Sequence, residues 1–194
     1  MLKNHFYDVY DLQHLSEIET VFKTDGLVGL NVTIPFKEKV VPYLDELSDE
    51  AEKTGAVNCI LIKDQVKKGY NTDVFGFEKT LVLHRKDFHD SALVLGNGGA
   101  AKAVKYVLEQ HRIPYQTVSR NADLNFGNLT AETVRKNRLI IQCTPVGTFP
   151  NVDDCLDFPF DGITGQHLVV DLIYNPDYTT FIKKSSANGA KTVN

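Results

Sequence analysis

The sequence has few cysteines, no long apolar run and no excess of positive charge. Its 194 residues include three cysteines, Cys59, Cys143 and Cys155. They form no closely spaced pair of metal ligands, which argues against zinc or another metal bound by paired cysteines. The same spacing argues against a disulfide framework. No apolar stretch approaches the ~20 residues needed to cross a bilayer, and the start of the chain lacks the apolar core of a signal peptide. We therefore expect a cytoplasmic protein with no membrane partner.

The net charge of −4 argues against a polyanionic partner such as nucleic acid. It leaves room for a local basic pocket that binds one phosphate. Hydrophobic residues make up 42% of the chain and charged residues 24%, which is typical of a globular protein with one large domain or two small ones.

The second half of the chain alternates strand-like and helix-like segments, which predicts a parallel sheet covered by helices on both faces. The predicted segments are 91–95, 100–111, 115–119, 129–136, 139–143, 167–172 and 179–188. A charged stretch, Arg85 to Asp90, precedes them. The pattern predicts an α/β protein of two domains, one over residues 1–86 and a Rossmann-like, doubly wound parallel sheet over residues 87–194.

The first half contains shorter predicted elements. Alternation of apolar and polar residues predicts a strand over His5 to Asp11 and a second strand over Leu27 to Ile34. Helical spacing is expected over Lys37 to Leu47, and a second helix is expected over Ser48 to Thr54, which Ser48 starts and Gly55 stops. Two further strands on either side of Asp64-Gln65 predict a hairpin.

One glycine-rich stretch organises the second half. An apolar strand ends at Leu95, and Gly96-Asn97-Gly98-Gly99-Ala100 follows before a helical pattern begins. Glycines permit a tight bend and a close backbone approach, and the free amides at the start of a helix can hold a diphosphate. The alternative is an ordinary turn between a strand and a helix.

The next strand is predicted to end in Ser119-Arg120. Dinucleotide-binding proteins place there the residue that reads the adenosine ribose, and an arginine suits the 2′-phosphate of NADP. Arg120 could equally be a solvated surface residue. Two later strand ends, at Thr144 and at Leu172 to Tyr174, could line the nicotinamide side or serve only as turns.

Polar residues gather after apolar runs in the first half, which allows them to converge on one cleft. Lys37 and Asp73 form the pair with chemical potential, because an ammonium can pass a proton to a carbonyl oxygen while a carboxylate orients it. A surface ion pair is the alternative. Asn58 could be a turn residue, and Thr33 a β-branched strand residue.

Five motifs occur in the order and spacing of the shikimate dehydrogenase family, which the chain resembles from about Gly29 to its end. They are Asn31-Val32-Thr33-Ile34-Pro35-Phe36-Lys37, Gly55-Ala56-Val57-Asn58, Gly69-Tyr70-Asn71-Thr72-Asp73, the glycine turn, and Asp171-Leu172-Ile173-Tyr174-Asn175-Pro176. The resemblance implies NADP-dependent interconversion of 3-dehydroshikimate and shikimate, on the route to aromatic amino acids. A quinate or dual quinate/shikimate dehydrogenase, and a nucleotide-binding regulatory module without catalysis, are the alternatives.

The resemblance also implies that residues 1–86 form the α/β substrate domain and residues 87–194 the NADP-binding domain, and it implies roles for individual residues. Lys37 and Asp73 would be the catalytic pair, with Lys37 as the acid/base group. Substrate hydroxyls would be held by Thr33, Asn58 and Asp73. NADP(H) would be held by Gly96, Asn97, Gly98, Gly99, Ala100, Ser119, Arg120, Thr144, Leu172 and Tyr174.

The family pattern differs from this chain at both ends. The family begins with a strand that carries a Ser-x-Ser pair for the substrate carboxylate, and no such pair precedes Asn31. The family also continues past the segment matched by Thr192-Val193-Asn194 into helices with a substrate-binding glutamine. The resemblance therefore implies a member that lacks both ends, acting on a small molecule as a monomer or homodimer.

Overall fold

The computed structural model describes residues 6–194, and they form two sheets with helices packed around them. The helices are α1 (Ile18–Val21), α2 (Asp49–Thr54), α3 (Thr72–His84), α4 (Gly99–Gln110), α5 (Ala131–Lys136) and α6 (Thr180–Ala187). The strands are β1 (Gly29–Asn31), β2 (Glu46–Leu47), β3 (Cys59–Lys63), β4 (Val66–Tyr70), β5 (Ala92–Leu95), β6 (Tyr115–Val118), β7 (Leu139–Gln142), β8 (Leu168–Asp171) and β9 (Lys191–Val193).

The first sheet has the order β1-β3-β4-β2 and is mixed. Strand β1 pairs with β3, and β3 pairs with β4, both in antiparallel orientation, while β2 pairs with β4 in parallel. The predicted hairpin is present, since Asp64 and Gln65 both adopt positive φ between β3 and β4, as a tight two-residue hairpin turn requires. A side chain at Gly29 would place its Cβ 2.6 Å from the carbonyl oxygen of Ile60, so only glycine fits this strand pairing.

The second sheet has the order β6-β5-β7-β8-β9 and is parallel throughout. Side chains alternate between its faces: Ala92 and Val94 pack on the side of α3 and α4, while Leu93 and Leu95 pack on the side of α5 and α6. Both faces are therefore apolar and covered, as the alternating sequence pattern predicts. The α/β fold class with a Rossmann-like second sheet is confirmed. Strand β9 was not among the predicted elements.

Three predictions in the first half are wrong in whole or in part. Residues 6–12 form neither strand nor helix, and His5 lies outside the described residues. Phe6 is 94% exposed and Val9 86% exposed, because no strand of the described chain pairs with this segment. The second predicted strand is shortened to β1, since the turn that holds Lys37 already begins with a hydrogen bond from the Phe36 N–H to the Thr33 carbonyl.

The helix expected over residues 37–47 is absent. A 3-10 turn at Val41–Tyr43 contains Pro42, whose ring nitrogen cannot donate a helical hydrogen bond. Glu46 and Leu47 instead pair with Lys68 and Gly69 as strand β2. The tertiary pairing thus overrides the helical spacing of this segment.

Candidate active site

The loop after β1 carries Lys37 to the entrance of β3. The N–H of Val57 donates to the carbonyl of Lys37 over 2.7 Å, and the N–H of Val32 donates to the carbonyl of Asn58 over 2.9 Å. The N–H of Asn58 in turn donates to the carbonyl of Tyr70 over 3.0 Å. These backbone hydrogen bonds fix Lys37 and Asn58 at the same end of the first sheet.

Asp73 lies in the first turn of α3 and contacts both residues. Its Oδ2 accepts from the Lys37 Nζ over 2.7 Å, and its Oδ1 accepts from the Asn58 Nδ2 over 2.7 Å. The side chains of Lys37 and Asp73 are 18% and 32% exposed. The Lys37 ammonium, which has protons to donate, is thus oriented by Asp73 and remains accessible to a small molecule.

Asn58 is oriented by Thr72 as well as by Asp73. The N–H of Thr72 donates to the Asn58 Oδ1 over 2.9 Å, and the Asn58 Nδ2 also reaches the Thr72 Oγ1 at 3.0 Å. Thr33, the remaining residue predicted to bind substrate, has an exposed side chain. In the described part of the chain that side chain makes no hydrogen bond to the other three predicted residues.

The glycine turn between β5 and α4 has the shape that a diphosphate requires. Gly96 has a φ of +112°, and a Cβ there would lie 3.1 Å from the Cγ2 of Thr144, so a larger residue is excluded. A Cβ on Gly98 would meet nothing within 4 Å, which leaves open space above the turn. No side chain caps α4, so its first amide groups remain available to an anion. These residues fit a dinucleotide diphosphate.

The glycine turn lies against the loop that carries Lys37. A Cβ added to Gly99 would be 3.2 Å from the Lys37 Cβ. One turn into α4, the Lys102 Nζ donates to the Oε2 of Glu38 over 2.6 Å. The proposed diphosphate turn and the proposed catalytic lysine therefore share one cleft between the two sheets.

The other predicted cofactor residues follow the strands of the second sheet. Ser119 and Arg120 follow β6, Thr144 follows β7, and Leu172 and Tyr174 follow β8. Parallel strands end at the same edge of a sheet, where open α/β folds bind ligands. Arg120 is exposed and Tyr174 is 84% exposed. Their roles remain predictions.

Two ionisable groups lie where β7 and β8 end: Asp171 is buried and Cys143 is half-buried. Asp171 is 1% exposed, and burial raises the pKa of its carboxyl while hydrogen bonds from the Thr179 Oγ1 at 2.6 Å and the Ile173 N–H at 3.1 Å oppose that rise. Burial also raises the pKa of the Cys143 thiol, and the nearby Asp171 raises it further. Cys143 is therefore a protonated thiol and a poor nucleophile.

Four residues of the cleft were not predicted from the sequence. Thr72 orients Asn58, Glu38 and Lys102 form an ion pair, and Lys105 reaches the side chain of Asn97. The sequence carries a signal only for Thr72, because it stands beside Asp73 within a motif. Glu38 and Lys102 depend on how the two sheets face each other, and Lys105 depends on its side chain reaching back along α4 to Asn97.

Within residues 6–194, no group of three or more histidine, cysteine, aspartate or glutamate side chains is arranged to hold a metal ion. In the same range, no helix combines the length and the apolar character needed to span a bilayer.

Known proteins were compared with the chain as a whole. Residues 3–60 match the family model described as the shikimate dehydrogenase substrate binding domain. The shikimate dehydrogenase (NADP(+)) of Methanosphaera stadtmanae is 34% identical over 203 aligned residues, which cover 94% of this chain and 72% of the relative. The chain belongs to the shikimate dehydrogenase family. A second relative, the shikimate dehydrogenase (NADP(+)) of Desulforamulus reducens, is 36% identical, and this chain covers 66% of its length.

Solved structures of this family agree with the fold. The Thermus thermophilus shikimate 5-dehydrogenase, solved with NADP(H) and shikimate, superposes with a TM-score of 0.76 at 29% identity, over 92% of this chain and 70% of that one. The Corynebacterium glutamicum quinate dehydrogenase, solved with NAD, gives 0.77 at 27% identity, over 93% and 71%. The family resemblance inferred from five sequence motifs is thus confirmed.

Proposed function

We propose that this member of the shikimate dehydrogenase family catalyses the NADP-dependent interconversion of 3-dehydroshikimate and shikimate. The observation that carries the proposal is the contact of Lys37 with Asp73 at 2.7 Å, in a cleft where a Cβ added to Gly99 of the glycine turn would lie 3.2 Å from the Lys37 Cβ. A proton donor and a dinucleotide turn at this distance suit a reaction that moves a hydride and a proton to one carbonyl group.

In this proposal Lys37 handles the proton. During reduction its Nζ donates a proton to the carbonyl oxygen of 3-dehydroshikimate, and during oxidation of shikimate it takes that proton back. The nicotinamide, when bound, supplies the hydride to the carbonyl carbon or accepts it in reverse. Asp73 orients the Lys37 ammonium through one carboxylate oxygen, and Asn58 donates a hydrogen bond to the other carboxylate oxygen of Asp73. Thr33, Asn58 and Asp73 would bind the substrate hydroxyls.

The dinucleotide would lie along the edge of the second sheet. The turn from Gly96 to Ala100, with Asn97, Gly98 and Gly99, would take the diphosphate on the free amides of α4. Ser119 and Arg120 would bind the 2′-phosphate, and Thr144, Leu172 and Tyr174 would flank the nicotinamide. We also propose a division into domains at residues 86–87, a cytoplasmic location, and a monomer or homodimer in solution.

The test compares Lys37→Ala with Lys39→Ala, which removes an exposed lysine two residues away. NADPH absorbance is followed with 3-dehydroshikimate as substrate. We expect Lys37→Ala to lose roughly 10²-fold or more of turnover, as removal of a general acid does, while Lys39→Ala and NADPH binding stay unchanged. Unchanged turnover of Lys37→Ala would reject the role of this lysine.

The same assay separates the alternatives. Binding of NADPH without its consumption would indicate a regulatory module, and faster turnover with quinate and NAD would indicate a quinate dehydrogenase. Arg120→Ala should lower the preference for NADP over NAD if this side chain pairs with the 2′-phosphate. An unaltered preference would contradict that assignment.

A further inference from the structure

Lys105 lies beside the glycine turn although its Cα is more than one helical turn into α4. Side chains of a helix lean toward its N-terminus, and the Lys105 Nζ reaches back to the Oδ1 of Asn97 over 2.5 Å. The residue is only partly exposed. A cation is therefore placed over the segment that would bind the diphosphate.

No acidic side chain of residues 6–194 forms an ion pair with Lys105. Glu109, one turn further along α4, instead accepts a hydrogen bond from the Tyr115 hydroxyl over 2.6 Å. Lys102, the other lysine near the turn, is paired with Glu38. Burial lowers the pKa of Lys105, which is the expected response of a partly desolvated ammonium whose main partner is a neutral amide.

The surroundings of Lys105 point toward the cleft. The ammonium lies within electrostatic range of Cys143, and the backbone carbon of Cys143 would be 3.3 Å from a Cβ on Gly96. Cys143 is also within electrostatic range of Asp73. The hydrogen bond to Asn97 thus places the Lys105 ammonium beside the glycine turn.

We propose that Lys105 is a further cofactor-binding residue, whose ammonium pairs with the diphosphate of the bound dinucleotide and is held in place by Asn97. The inference rests on the proposed function for the identity of the cofactor. A phosphate oxygen accepts a stronger, charge-assisted hydrogen bond than an amide oxygen does. The ammonium therefore gains a counter-charge when the dinucleotide binds, and Asn97 keeps it aimed at the turn beforehand.

The experiment measures NADPH binding by fluorescence titration for Lys105→Met, Lys105→Arg and the control Lys136→Met, which changes an exposed lysine of α5 on the opposite face of the second sheet. We expect Lys105→Met to raise the Kd about 10-fold, as the loss of one charged hydrogen bond does. Lys105→Arg should stay within about threefold of wild type, because it keeps the charge. Lys136→Met should bind as wild type, and thermal unfolding should show that all three variants are folded.

Competition experiments locate the contact. Inorganic pyrophosphate should compete with NADPH less well in Lys105→Met than in wild type, whereas adenosine 2′-monophosphate, which lacks the diphosphate, should compete equally in both. An unchanged NADPH Kd in Lys105→Met would overturn the inference. So would a higher KM for 3-dehydroshikimate with an unchanged NADPH Kd, because the ammonium would then serve the substrate carboxylate.

The outcome is separable from that of the proposed function. If wild type binds NADPH, requires Lys105 for it and leaves 3-dehydroshikimate unreduced, the proposed function fails and the inference about Lys105 stands. If turnover occurs and Lys105→Met binds NADPH as wild type does, only the inference fails.

Discussion

A single histidine fixes the segment that joins α3 to the second sheet. His89 is 3% exposed. Its Nδ1 accepts from the N–H of Lys86 over 3.0 Å, and its Nε2 lies 3.0 Å from the carbonyl oxygen of Gln166. An N–H donor at Nδ1 and a carbonyl at Nε2 require the neutral ring with its proton on Nε2. Protonation of His89 would therefore break the contact with Lys86.

This environment predicts a pH dependence of stability. Burial lowers the pKa of His89 below its ordinary value of 6.5, so the unfolded chain takes up a proton at a higher pH than the folded chain does. The free energy of unfolding therefore falls as the pH drops through about 6.5 and toward the folded pKa. His89→Asn keeps an acceptor near the Nδ1 position and removes the titration. Urea unfolding at about pH 7.5 and about pH 5 should show a smaller loss of stability in the variant than in wild type.

The exposed His14 provides the control for that measurement. His14→Asn should lose as much stability between the two pH values as wild type does. An equal loss in His89→Asn would mean that other groups cause the pH dependence.

Residue motifs predicted the cluster around Asp73 because its members lie at the same end of the first sheet: Lys37 follows β1, Asn58 precedes β3 and Asp73 follows β4. Lys37, Asn58 and Asp73 are far apart in sequence and meet through hydrogen bonds of 2.7 Å. Lys105 and Glu38 could not be found in this way. A lysine or glutamate on a helix or loop is usually a solvated residue. Glu38 gains its partner Lys102 only through the packing of the two sheets, and Lys105 gains Asn97 only through the conformation of its side chain.

Among the elements, those defined by strong local signals were predicted and those defined by pairing were not. Helix α2 begins at Ser48, whose Oγ accepts from the N–H of Ala51, and ends at Gly55 in the left-handed conformation, so both boundaries are local. Strand β2 has only two residues and exists because it pairs with Lys68 and Gly69. The segment at residues 6–12 has strand-like alternation but no partner strand in the described chain.

Two glycines in helices α3 and α4 permit a matched test of the cleft. A Cβ on Gly76 would meet nothing within 4 Å, whereas a Cβ on Gly99 would be 3.2 Å from the Lys37 Cβ and 3.5 Å from its Cδ. Gly76→Ala should raise the free energy of unfolding by about 0.5–1 kcal/mol through helix propensity and leave turnover unchanged. Gly99→Ala should displace Lys37 by a few tenths of an ångström and lower turnover about 10-fold.

Thermal unfolding and NADPH oxidation with 3-dehydroshikimate measure the two effects separately. Equal turnover in Gly99→Ala and wild type would show that Lys37 tolerates the displacement. A loss of stability in Gly76→Ala would contradict the open space around that position.

The arrangement of the two sheets is a property of the whole molecule, and little in the sequence pattern predicts it. The βαβα rhythm predicted the parallel sheet and its two covered faces, since each strand is buried on both sides. Polar contacts between the elements of the two sheets include Glu38 with Lys102 at 2.6 Å, and the Lys53 ammonium 5.8 Å from the centre of the Tyr106 ring. Polar contacts of this kind have no periodicity from which they could be predicted.

The pair of Glu38 and Lys102 should couple the two sheets in catalysis more than in stability. Its side chains are 43% and 36% exposed, so the pair contributes at most about 1 kcal/mol to folding. Glu38 adjoins Lys37, however, and Lys102 lies in the first turn of the helix that follows the glycine turn. We expect Glu38→Gln and Lys102→Met each to lower kcat/KM about threefold, and the charge-reversed double variant Glu38→Lys with Lys102→Glu to recover part of the loss.

The pair of Glu132 and Lys136 within α5 is the control, because it has a similar distance of 2.7 Å but lies in one helix and is 72% exposed on both sides. Glu132→Gln should leave kcat/KM unchanged. About 0.5 M salt should reduce the difference between wild type and Glu38→Gln, since partly exposed charges are screened. If charge reversal recovers nothing, and salt leaves the difference intact, the two side chains act independently of each other.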